Sequence, residues 1–193
     1  MRETGGARRD STASELWEQV VPFADNQCRL WQIGFVRFWI RRVSDEWFIA
    51  MEETKENRKR PIAGEEAPAP AGLQWNRYVA GKMAKIVVRP VLPDRPVVIK
   101  PSSAVKILPG KGSRYFIHLP VWVSITEGSV KNRTALTEHP GVLLSSTWFG
   151  NPDDGELCYS FTTDLYKSPE EREDLPLMAV CPLTIRNGSP TTL

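Results

Sequence analysis

The middle of the chain is cut by prolines at Pro90, Pro93, Pro96, Pro101, Pro109 and Pro120, and the strand-like runs beside them are only four to six residues long. Proline removes a helix hydrogen bond and clashes with the preceding turn, so no helix of useful length fits between these positions. Edge strands, strand starts and crossovers tolerate it. The runs at 85–89, 97–100, 104–108, 114–119 and 121–126 have strand composition, and 143–149, 157–163 and 178–186 extend the series. The spacing predicts an all-β fold. Its expected form is an antiparallel two-sheet β-sandwich with one or two short helices.

The N-terminal third fits the same picture. Phe-Val-Arg-Phe-Trp-Ile-Arg-Arg at 35–42, a turn at 43–46 and Trp-Phe-Ile-Ala-Met at 47–51 predict an antiparallel hairpin. Helical signals are few. Thr12 and Glu15 have capping-box spacing ahead of the i,i+4 pairs Leu16/Val20 and Trp17/Val21, which predicts a short helix ending at Pro22. Ser168, Pro169 and Glu171 occupy N-cap, N1 and N3 of a second expected turn. Residues 1–14 read as a disordered tail. Residues 15–193 read as one β-sandwich domain. Within it, 52–73 is Glu/Lys/Arg-rich and then Pro/Ala/Gly-rich, and is expected as a long surface loop.

Charge excludes little but weighs against nucleic acid. The net charge is +2, from 25 basic and 23 acidic residues, too balanced for a nucleic-acid binder. Residues 61–149 carry 11 basic and 5 acidic side chains, whereas 150–193 carry 3 and 8. Two parts of one fold packed near each other would account for this, as would a basic surface for an anionic partner. No apolar run approaches the ~18 residues of a membrane span. The first residues have no apolar core, so a signal peptide is not expected. Cys28, Cys158 and Cys181 are odd in number and form no CxxC, which fits free thiols in a cytoplasmic protein.

No residue set has the form of a catalytic or metal centre. His118 and His139 lie 21 positions apart, with no cysteine at zinc-ligand spacing. Cys158 sits between Leu157 and Tyr159 in a strand pattern, where a buried inert thiol is expected. His118 is expected at the surface or half-buried. Pro109-Gly110-Lys111-Gly112-Ser113 lacks phosphate-loop spacing and reads as a hairpin turn. Asn151 to Glu156 offers four oxygen-bearing side chains, which suits either a calcium loop or a polar turn between strands. No cofactor is expected.

Tryptophan is the unusual count, at seven. Most should be core. Phe35/Arg37/Trp39/Arg41 and Arg114/Phe116/His118 form mixed aromatic–basic faces, which either stack sugars or bases or pair arginine with aromatics internally.

Several segments together carry a family pattern. They are Pro93-Asp94-Arg95-Pro96-Val97-Val98-Ile99-Lys100-Pro101, Leu108-Pro109-Gly110, Leu119-Pro120-Val121-Trp122-Val123, Ser146-Thr147-Trp148-Phe149-Gly150 and Gly155-Glu156-Leu157-Cys158-Tyr159. Trp31-Gln32-Ile33-Gly34 and Asp45-Glu46-Trp47 add to it. The series resembles an archaeal and bacterial family, domain of unknown function 432, over roughly residues 28–190. The resemblance implies no activity and no catalytic residue.

The expected function is therefore a non-enzymatic binding or interaction domain with a small-molecule or protein partner. A carbohydrate-binding or carbohydrate-active sandwich and an assembly subunit with an aromatic interface are the alternatives. The candidate ligand site is Trp148, Phe149, Asp153, Asp154 and Glu156, an apolar anchor beside convergent acids. The competing view has Trp148 plugging the end of the sandwich while the acids solvate a turn.

Overall fold

The computed structural model describes residues 16–151, 153–169, 171 and 177–192. Their strands are β1 Val20–Pro22, β2 Cys28–Val43, β3 Glu46–Glu66, β4 Trp75–Val79, β5 Lys85–Val91, β6 Val97–Pro101, β7 Gly112–Pro120, β8 Trp122–Gly128, β9 Arg133–Pro140, β10 Ser145–Phe149, β11 Glu156–Thr163 and β12 Met178–Arg186. The chain is all-β. Its sheets have the orders β1-β5-β8-β9, β2-β3-β4, β10-β11-β6 and β12-β7, and none closes into a barrel. β11 runs parallel to β6, whereas β1–β5, β2–β3, β3–β4, β10–β11 and β12–β7 are antiparallel.

Four local expectations need correction. Val20–Pro22 is strand, not helix: Glu18 turns left-handed at φ 62°, and β1 then pairs with β5, Val20 opposite Val87. β-branched valines favour that pairing, and Pro22 is tolerated on an edge. The capping segment and the expected tail at 1–14 lie outside the described residues. Residues 52–66 are not loop, because β3 continues through them to Glu66 along β2. Residues 104–108 are not strand; Pro101 and Pro109 bracket them, and the Ile107 carbonyl instead accepts the Asn187 side-chain amide at 2.7 Å. The turn around Gly110 is real, with Lys111 N–H donating to Leu108 O at 3.1 Å. It is no hairpin, however, since β6 and β7 belong to different sheets. At 168–171 the Glu171 carboxylate accepts the Ser168 N–H at 3.0 Å, the reciprocal half of a capping box.

The chain divides into two compact units: residues 1–89 with 124–138, and residues 90–123 with 139–193. The first is built on the β2–β3 ribbon. Ser44 and Asp45 make its two-residue turn, Ser44 at φ 54°. Further along, the register shifts three times, near Leu30/Trp31, Gln32/Gly34 and Gly34/Val36. Gly34 adopts φ 58°, a conformation that costs glycine little. These bulges bend the ribbon so sharply that the two ends of β2 meet, with Arg42 N–H donating to Gln27 O at 3.2 Å. Buried Gln32 fixes the bend. Its amide donates to Glu56 O at 3.3 Å and its oxygen accepts from Arg37 at 3.1 Å.

The bend brings Trp31 parallel to Phe38, ring centres 5.7 Å apart, although the two residues are seven apart on one strand. Phe23 stacks on Trp31 and meets Trp47 edge-on. Ile33, Ile40, Ile49, Ile86, Val87 and Ile125 complete this core, each at most 1% exposed. One buried acid sits among them. Glu127 accepts the Trp47 indole N–H at 3.2 Å and the Gly81 N–H at 2.6 Å. Its burial is tolerable because both oxygens are satisfied.

The second unit holds β10-β11-β6 and β12-β7. Cys158, His118, Tyr115 and Val121 are its buried side chains of note. Among the described residues no helix is long and apolar enough to cross a membrane.

Candidate functional site

In the aromatic–basic faces the arginines pair with aromatics of the chain itself, while Phe35 stays 48% exposed. Arg37 lies 6.0 Å from the Trp39 ring centre, and Arg41 lies 5.4 Å from Phe48 and 4.9 Å from Trp75. Trp39 is only 3% exposed. Arg114 covers Phe116 at 5.1 Å. His118 is buried, not half-exposed, with Tyr166 edge-on at 4.9 Å. The Cys158 thiol is buried and donates to Glu156 O at 3.4 Å, a packing role. Among the described residues no three His, Cys, Asp or Glu side chains are grouped for a metal.

Of the seven tryptophans, Trp31, Trp39 and Trp47 are buried, Trp17, Trp75 and Trp122 half-buried, and Trp148 is 56% exposed. That exposure removes the view of Trp148 as a plug. Phe149 is 66% exposed. Both stand on β10, which pairs with β11 so that Trp148 faces Leu157 and Phe149 faces Glu156. Neighbours on a strand point to opposite faces, so the two aromatics do not share one. Asp153 and Asp154 lie at the turn, exposed. That turn is held by Gly155 N–H to Asn151 O and by Asp153 N–H to Asn151 Oδ1, each 2.7 Å. The five candidate residues thus cluster at one hairpin end, without converging on a single pocket.

A Cβ on Gly155 would collide with the Asn151 carbonyl oxygen and lie 2.8 Å from that of Phe149. Gly155→Ala should therefore cost about 1–3 kcal/mol in strain. Chemical denaturation measures it; a change under about 0.5 kcal/mol would show that the turn adapts.

The Trp148 face extends across the sheet. Leu157 and Tyr159 lie on one side of β11, and Tyr159 is paired with Val97 of β6. Beside Val97 opens a cleft of about 370 Å³, lined by Leu92, Pro93, Asp94, Arg95, Pro96, Val97, Ile99, Ile117 and Leu119. Tyr159 donates its hydroxyl to Asp94 at 2.9 Å, and Arg95 lies 5.5 Å over its ring. The bond to the Asp94 carboxylate pushes the phenol pKa above its ordinary value. Trp122 flanks the same ring at 6.3 Å. The chain matches the family model "Protein of unknown function (DUF432)" over residues 16–193. It belongs to the DUF432 family. No curated protein and no solved structure matches it.

In this DUF432 chain the cleft, Asp94, Arg95 and Tyr159 are what the site search in the sequence missed. The signal was the Pro-Asp-Arg-Pro run at 93–96, which holds charged residues between two prolines ahead of a strand. Exposed apolar surface points the same way. Of fourteen large apolar residues exposed among the described ones, nine belong to the second unit, including Leu92, Trp148, Phe149 and Leu157.

Proposed function

We propose that this DUF432 chain is a non-catalytic interaction module whose recognition surface is the β10-β11-β6 face. The observation that carries this is Trp148, 56% exposed on the same face as an apolar cleft. Trp148 and the turn acids Asp153 and Asp154 form one end of the surface, with Phe149 and Glu156 on the reverse side of the same hairpin end. Arg95 and the cleft form the other. A cytoplasmic setting is part of the proposal, supported by Cys28, Cys158 and Cys181 all being free thiols.

A sugar-binding role is the second reading, favoured by the open indole of Trp148 with Tyr159 one row away across the sheet. Seven of the nine cleft residues are apolar. That suits an apolar group better than sugar hydroxyls, which need many polar partners.

Trp148→Ala and the double change Asp154→Ala, Glu156→Ala should each leave stability within about 1 kcal/mol, as for surface positions. They should also abolish the thermal shift given by any glycan, peptide or metabolite that stabilises the unaltered protein. A ligand that stabilises all three proteins equally sinks this reading, as does a loss of about 3 kcal/mol for Trp148→Ala.

A further inference from the structure

We infer that the partner of this face is a second copy of the same chain, docked reciprocally. The inference rests on the interaction reading above and names its occupant.

Both halves of a contact belong to the second unit, at the two edges of one sheet, with Ile117 and Leu119 of β7 completing the cleft. Trp148 projects from the edge strand β10, and the cleft opens beside the other edge strand, β6. β11 runs between them. A two-fold axis over β11 exchanges the two edges. Each copy's Trp148 then enters the other's cleft, the self-complementary arrangement that closed dimers use. About 370 Å³ holds an indole, and the apolar lining suits it. Leu157, 38% exposed, and Leu92 at the cleft, 65% exposed, would be covered in the same contact.

Charge agrees with this pairing. Asp153 and Asp154, on the turn next to Trp148, form no ion pair among the described residues. At the receiving end Arg95 lies over Tyr159, its one ion pair among the described residues is with neighbouring Asp94 at 3.9 Å, and its side chain is 41% exposed. Reciprocal docking sets each acidic turn toward the partner's Arg95. The same acids disfavour an anionic membrane, which would repel them at the leading end of the hairpin. A sugar would leave the apolar cleft without use.

Sedimentation velocity on the full chain tests this from about 1 μM to about 1 mM. A monomer–dimer equilibrium is expected. Trp148→Ala should weaken it about thirtyfold or more, as for a central tryptophan anchor. Arg95→Glu alone, and Asp153→Arg with Asp154→Arg, should each give monomers. An equimolar mixture of those two charge variants should dimerise again, since each restores both contacts of the other. If Trp148→Ala fails to fold by circular dichroism, the charge-variant mixture alone decides. A chain that stays monomeric to about 1 mM overturns the inference. So does a dimer indifferent to all of these changes, or a mixture that stays monomeric. A monomeric chain whose Trp148 is protected by a ligand from the thermal-shift screen overturns the dimer and leaves the interaction reading standing.

Discussion

Trp31→Ala should destabilise the protein by about 3–5 kcal/mol, the usual cost of truncating a buried aromatic. Trp31 is 1% exposed, lies parallel to Phe38 and stacks on Phe23. The far side of its ring touches the Gly64 backbone, where even a Cβ would approach to 3.1 Å. Alanine therefore leaves a void between the two halves of the bent β2–β3 ribbon. Trp31→Phe fills part of it and should cost clearly less. Urea unfolding followed by far-UV circular dichroism gives both values. A loss below about 1 kcal/mol for Trp31→Ala would mean that the ribbon halves close over the void, and that the bend does not depend on this ring.

Glu127→Ala should cost about 2–5 kcal/mol, because it strands two donors at once, the Trp47 indole N–H and the Gly81 N–H. Each buried donor left unpaired costs about 1–3 kcal/mol. Glu127→Gln keeps one acceptor but aims an amide NH₂ at the other donor, so it should recover only part of the loss. Trp47→Phe removes one of the two donors. In a double-mutant cycle the Glu127→Ala and Trp47→Phe losses should fall short of additivity by about 0.5–3 kcal/mol, as for residues sharing a bond. Strict additivity would show that the indole contact contributes nothing.

The strands between the prolines were legible because proline acts locally. β5, β6, β7, β8, β10, β11 and β12 each start or stop within a few residues of their expected places. The β2–β3 turn was legible for the same reason. What escaped depends on distant partners. Val20 and Val21 sit at helical spacing from Leu16 and Trp17, yet β5 offers them a backbone to pair with, and pairing prevails. Residues 104–108 have strand composition, but Ile107 instead meets Asn187, eighty positions away. At the candidate site, Trp148 and Phe149 could be singled out by type. Whether they were exposed depended on what covered them. The cleft could not be seen, because Val97 and Ile117 approach only in the folded unit. The bend at Gly34 also left no periodic trace, since three register shifts scramble the alternation a strand normally shows.

β3 extends sixteen residues beyond Ala50, where its pairing with β4 ends. Along that stretch β2 flanks it on one side, and among the described residues no strand of its sheet lies on the other. Such an open row of backbone donors and acceptors invites strands from other molecules and can seed fibrous aggregates. The sequence there, with Glu52, Glu53, Lys55, Glu56 and then Pro61, works against this. Charged side chains repel an incoming copy, and proline withholds an N–H from it. The composition that makes this strand resemble a loop is therefore also what guards its open edge against pairing with another copy. Replacing those charges with valine or threonine would strengthen the strand pattern in the sequence and turn the edge into a site of polymerisation.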